Sequence, residues 1–79
     1  MTNLEKYTNV FTTTLNVNEA EVSKLKYQDI PAWDSVGHME LVAAIEGAFD
    51  IMMEADDIID FSSFEKGKEI LSTKYNITF

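Results

Sequence analysis

Asp34, Ser35 and His38 are the residues of this chain whose types and spacing could do chemistry. A serine with a histidine three positions on would place a nucleophile and a base on one helical face. Two parts of such a catalyst are missing. No third group is evident to orient His38, and no oxyanion-hole signature surrounds Ser35. The chain has no cysteine, so a thiol nucleophile, thiolate metal sites and disulfides are excluded as well. Glu54, Asp56, Asp57 and Asp60 lack the glycine and the regular oxygen ligands of a calcium loop, and no metal site is expected there. What distinguishes Ser35 is its position. It stands where a helix begins, and free N–H groups and the positive dipole end there would stabilise a phosphate ester. Asp34, just before it, can cap that helix or accept a metal ion. Gly37 and His38 are expected to leave the first turn uncrowded on one side, with His38 partly exposed.

The elements that must present this point are helical, because the dominant apolar period is three to four residues. The spacing predicts a first helix from Asn3 to Leu15, capped by Thr2 with Glu5, and carrying Leu4, Tyr7, Val10, Phe11 and Leu15 on one stripe. A long loop follows from Asn16 to Asp34. A helical turn is expected within it, capped by Asn18 with Glu21. Val17, Val22, Leu25, Tyr27 and Ile30 are its anchors. Pro31 takes Ile30 out of helical geometry and fixes the approach to Trp33. The second helix runs from Ser35 to Asp50, with Leu41, Ile45 and Phe49 inward. A short third helix from Glu54 to Asp60 is expected to turn Ala55, Ile58 and Ile59 inward and Asp56, Asp57 and Asp60 outward. Ser62, with Glu65, should cap a fourth helix that ends near Asn76. Gly67 suggests a close approach; Gly47 hints at one too, but simple tolerance of glycine explains it better. The expected fold is all-α: a single domain over residues 1–79, built as a small antiparallel four-helix bundle with a long first loop and a short third helix.

Composition bounds the function. A chain of 79 residues cannot enclose a large catalytic cleft and keep a core. Fourteen acids against six lysines leave a net charge of -8, which disfavours nucleic acid and steers basic proteins towards the surface. No leader-like start is visible and no apolar run approaches the ~20 residues of a membrane span, so a cytoplasmic monomer is expected.

Trp33-Asp34-Ser35-Val36-Gly37-His38-Met39-Glu40-Leu41 resembles the phosphopantetheine attachment motif of acyl carrier proteins, in particular the branch reading Trp-Asp-Ser-Leu-Gly-His. The similarity runs on through Phe49-Asp50 to Ser62-Ser63-Phe64, and length, acidity and helix order fit the family along the whole chain. The resemblance implies that a phosphopantetheinyl transferase modifies Ser35 with a 4'-phosphopantetheine arm from coenzyme A. The thiol of that arm would carry an acyl or aminoacyl group as a thioester, so the protein itself would be no enzyme. Asp34 would help place the transferase's magnesium ion. Partner enzymes, a loading ligase and downstream synthases or transferases, would read Glu40, Glu46, Asp50, Asp56, Asp57 and Asp60, with Val36, Met39 and Ala43 as apolar spots between the acids. Leu41, Ile45, Phe49, Ile58 and Ile59 would line the space that shelters the carried group.

Val36 stands where the family usually has leucine, and Gly37 and Gly47 stand where fatty-acid carriers are often acidic. The two glycines speak against housekeeping fatty acid synthesis, and the Trp33 and Gly37-His38 signature resembles carriers of a specialised pathway, polysaccharide, polyketide or aminoacyl; Val36 points to no pathway. One alternative stays open, an unmodified acidic interaction or regulatory subunit with Ser35 as a helix cap only; a small serine hydrolase is not expected.

Overall fold

Thr2 opens the chain's first helix with a reciprocal pair of hydrogen bonds. Its Oγ1 accepts from the Glu5 N–H at 3.1 Å, and Glu5 Oε1 accepts from the Thr2 N–H at 2.8 Å. In the computed structural model, which describes residues 1–79, this helix is α1, Asn3–Leu15. It is followed by α2 (Glu19–Val22), α3 (Ser35–Phe49), α4 (Ala55–Asp60) and α5 (Phe64–Lys74). There is no strand, only an isolated antiparallel bridge between Lys26 and Ser63. The protein is therefore all-α. No helix is long and apolar enough to cross a membrane.

Helix ends follow local chemistry. Asn16 and Asp50 stop α1 and α3 in the left-handed conformation, at φ 55° and 54°, which Asn and Asp tolerate better than most residues. Beyond α3 the Ile51 N–H reaches back to the Glu46 carbonyl at 3.1 Å, closing the last turn. Two expected caps fail. Asn18 makes no side-chain cap bond at α2. At α5 the cap is Ser63, whose Oγ accepts from the Lys66 N–H at 2.9 Å, and not Ser62. The cause lies far away in sequence. The Ser62 carbonyl accepts from the Tyr27 N–H at 2.8 Å, and the Phe64 N–H donates to Leu25 at 3.0 Å. Residues 62 and 63 are held extended against the first loop, so the helix starts one residue later.

That pairing also explains how the long loop is ordered. Lys26 N–H donates to Asp29 Oδ2 at 2.9 Å, and Gln28 N–H donates to the Trp33 carbonyl at 3.0 Å. Val22, Leu25 and Trp33 are buried, so both ends of the loop are anchored in the core.

The core is aromatic at its centre. Phe11 meets Tyr7 and Phe64 at 5.0 Å and Trp33 at 5.4 Å, all edge-to-face, a geometry that suits the ring quadrupoles. Tyr7 is wholly buried, and its hydroxyl donates to the Phe64 carbonyl at 2.7 Å. Burial, and secondarily the charge of Glu65, pushes its pKa far above the ordinary tyrosine value. Leu41, Val42 and Ile45 cover the other side of this cluster from α3, and Ile70 and Leu71 from α5. Leu4, expected on the inward stripe, is exposed, and Phe49 is only half-buried.

Gly67 permits a close approach and Gly47 is simply tolerated. A Cβ at Gly67 would collide with Phe61 and with the Tyr7 hydroxyl, so the bare Cα there is a packing requirement. Gly47 faces open space. It costs α3 about 1 kcal/mol against alanine with no contact in return.

Candidate functional site

The N-terminus of α3 is built by Asp34. Its backbone is extended, and its Oδ1 accepts from the Gly37 N–H at 2.8 Å. The His38 N–H returns to the Asp34 carbonyl at 2.8 Å. Asp34 is thus the helix cap, and Ser35 is the first helical residue, exposed and free of capping duty. Of the first four amides of α3, those of Gly37 and His38 are engaged. Those of Ser35 and Val36 have no backbone partner within the fold, so the positive end of α3 stays available beside the Ser35 hydroxyl.

Gly37 is buried, with its Cα so close to the Ala32 carbonyl that a Cβ would overlap it. The first turn of α3 is therefore crowded there, contrary to expectation, and only glycine fits. His38 is equally confined. Its Nδ1 accepts from the Trp33 indole N–H at 2.9 Å, and its Nε2–H donates to the Ile58 carbonyl at 2.8 Å. The first bond fixes the neutral tautomer with the proton on Nε2. The ring stacks on Trp33 at 6.2 Å and meets the edges of Tyr27 at 5.2 Å and Phe61 at 5.8 Å. Both ring nitrogens are committed, so His38 offers Ser35 no lone pair for proton abstraction.

Ser35 lies on the rim of a groove of about 350 Å³. Its walls are Tyr27 from the first loop, His38 and Met39 from α3, Ile58 and Ile59 from α4, and Phe61 and Ser62 from the connection to α5. Of the five residues expected to shelter a carried group, Ile58 and Ile59 are here. Leu41 and Ile45 are not, because both are wholly buried in the core. Phe49 lies elsewhere, its ring 6.3 Å from Phe79. Tyr27, Phe61 and Ser62 were not singled out for the site. They arrive through the Tyr27–Ser62 hydrogen bond, a long-range pairing with no local sequence signal. A second depression, along α1 and α2, is lined mainly by polar side chains such as Glu5, Thr8 and Glu19.

Among the residues expected to meet partners, Asp34, Val36, Met39, Glu40, Ala43, Asp50, Asp56 and Asp60 are exposed. Met39 and Ile59, at 54% and 76% exposure, line the groove, and Val36, next to Ser35 in the chain, is 66% exposed. Ile59 was expected inward and points out. Asp57 is the opposite correction: expected outward, it is 4% exposed. Its carboxylate accepts from Lys74 Nζ and from the Tyr75 hydroxyl, both at 2.7 Å, and the same hydroxyl accepts from the Glu54 N–H at 2.8 Å. The Lys74 and Tyr75 hydrogen bonds hold the Asp57 carboxyl below its ordinary pKa, and the Asp57 hydrogen bond raises Lys74. This is a clamp between α4 and α5, and it takes Asp57 off the surface. Glu46 is half-buried, and its Oε2 accepts from the Met53 N–H at 2.8 Å, tying α3 to the connector before α4. No three His, Asp or Glu side chains converge closely enough to hold a metal ion.

No protein-family model matches the sequence, and no curated protein matches it significantly.

Proposed function

We propose that the chain is a carrier protein, modified at Ser35 with a 4'-phosphopantetheine arm, that delivers thioester-bound acyl or aminoacyl intermediates to partner enzymes. The observation that carries this reading is the setting of Ser35. It is an exposed hydroxyl with no capping duty, at the positive end of a fifteen-residue helix, on the rim of an apolar groove. The resemblance of Trp33–Leu41 to the carrier attachment motif supports it independently.

The site fits the group. A phosphodiester on Ser35 would sit beside the unpaired amides of Ser35 and Val36 and the α3 dipole. The arm would supply a thiol that this cysteine-free chain lacks. Asp34 has one carboxylate oxygen on Gly37, and its second would face a transferase's magnesium ion. α1, α3, α4 and α5 would form the antiparallel bundle of such carriers, with α2 an elaboration of the first loop. Val36, Met39, Ala43 and Ile59 would give partners an apolar contact, and Glu40, Asp50, Asp56 and Asp60 its acidic surround. A specialised pathway fits best, since Gly37 is required by packing against Ala32 and Gly47 leaves the exposed face of α3 without a charge there.

An unmodified regulatory subunit leaves Ser35 unexplained, because Asp34 is the cap. A hydrolase lacks a base, because His38 is bonded on both nitrogens.

The test is intact-mass analysis after incubation with coenzyme A and a broad phosphopantetheinyl transferase. The wild-type chain should gain one phosphopantetheine and Ser35→Ala none. No gain by wild type, or equal gain by the variant, overturns the proposal.

A further inference from the structure

Resting on the carrier function above, we propose that His38 sets the size of the group the protein shelters. It closes the floor of the groove beside Ser35, so that only a compact apolar group is held and a long chain is left in solvent.

The groove is shallow for a reason that can be named. Ser35 and His38 are one turn apart on α3, so His38 stands directly behind the attachment point. A side chain at such a place could swing aside to admit a chain, but His38 is held by two hydrogen bonds of opposite sense. Trp33 donates to its Nδ1 at 2.9 Å and its Nε2–H donates to Ile58 at 2.8 Å. Tyr27 and Phe61 close on it edge-on, and Trp33 backs it face-on. Behind this layer lies the packed core: Trp33 is wholly buried, and its ring meets Phe11 at 5.4 Å. A chain passing His38 would have to break both hydrogen bonds and displace close-packed rings. A volume of about 350 Å³ is itself near the lower end of ligand sites, which run to roughly 1,000 Å³. The wall facing solvent, Met39 and Ile59, is apolar and more than half exposed, so it would shelter aliphatic or aromatic groups better than charged ones.

The chain's lack of cysteine and its single tryptophan make the test direct. A Ser35→Cys chain carries one thiol, to which butyl or dodecyl groups are attached with the alkyl methanethiosulfonates. Side-chain methyl resonances of Ile58 and Ile59 report the groove, and those of Leu41 and Ile45 report the core. The Trp33 indole N–H reports the hydrogen bond to His38. Butyl and dodecyl should shift the groove methyls to a similar extent and leave the Trp33 and core resonances in place. In Ser35→Cys combined with His38→Ala, dodecyl should shift the core methyls and butyl should not. His38→Asn, whose amide oxygen can still accept from Trp33, provides a milder opening should the alanine variant unfold, and dodecyl should again penetrate further than in the parent. Dodecyl reaching the core with His38 present, or the same length dependence in all folded variants, overturns the proposal. The labelling bypasses the transferase. Failure of coenzyme A to modify Ser35 would therefore overturn the carrier function while leaving the groove result to be judged by itself.

Discussion

The two halves of this molecule treat apolar side chains in opposite ways. Around Tyr7, the rings of Phe11, Trp33, Phe61 and Phe64 are at most 3% exposed, and the one hydroxyl among them is bonded. Around Ser35, Val36, Met39 and Ile59 are left more than half exposed, although a buried core lies within one helical turn of each. His38 belongs to both: it lines the groove, and it is bonded to buried Trp33 on one side and to the Ile58 carbonyl on the other. A small domain that keeps a tight core and a loose rim has separated its close-packed residues from its exposed apolar ones.

The sharpest way to break that contrast is at the closed half. Phe11→Ala removes a ring that meets four others, and should cost about 3–5 kcal/mol. A chain of this length has roughly 4–12 kcal/mol in total at about 0.05–0.15 kcal/mol per residue, so the variant should be largely unfolded or melt far below the parent. Circular dichroism melting measures it. A mild loss would mean that the aromatic cluster is not the centre of stability.

The clamp between α4 and α5 predicts a smaller effect that depends on pH. Hydrogen bonds from Lys74 and Tyr75 hold the Asp57 carboxyl below its ordinary value. A depressed acid stabilises the fold fully above the unfolded-state pKa of about 3.9, and that contribution is lost as pH falls through the lower folded value. Asp57→Asn should therefore lower the melting temperature at neutral pH and flatten its decline in acid. Some decline should remain, because Glu5 is also depressed, by its hydrogen bonds with Thr2. An acid limb unchanged by Asp57→Asn would show that the clamp does not hold α4.

Asp57 also shows what the sequence hides. The boundaries of α1 are readable to the residue, because Thr2 and Glu5 are local to it. The start of α5 is misread by one position because Tyr27, far away in the chain, takes the Ser62 carbonyl. Within α4 only Asp57 is buried, with Met53 and Phe61 buried just outside the two ends of the helix. An acid sits at its centre, so a search for apolar periodicity passes over it and selects Ile58 and Ile59 instead. Adjacent residues on a helix point about 100° apart, and a six-residue helix has too few turns to show which face is repeated. The partners that make Asp57 a buried residue, Lys74 and Tyr75, lie on another helix and beyond its end. At the site, Ser35 and Asp34 were legible from their position before an apolar helix. The groove was not, because Tyr27 and Ser62 reach it only through a pairing between distant segments.

The smallest expected change in stability tests the open half directly. Ile59 adjoins Ile58, is chemically identical to it, and would be a core residue if α4 were rotated by one position. Were it buried, a serine there would forfeit the side chain's transfer energy and strand a hydroxyl, a loss of several kcal/mol. At 76% exposure it should behave as a surface position, with Ile59→Ser changing the denaturation midpoint by no more than about 0.5 kcal/mol. Ile58→Ser should cost clearly more, because the Ile58 side chain is half-buried and packs against the core. The pair therefore measures the rotation of α4 about its own axis, and equal losses would place both isoleucines in the core. If Ile59 is part of the surface that partners read, Ile59→Ser should also slow modification of Ser35 by the transferase while the midpoint stays in place. That separation, a functional loss without a stability loss, is what Phe11 cannot produce and Ile59 should.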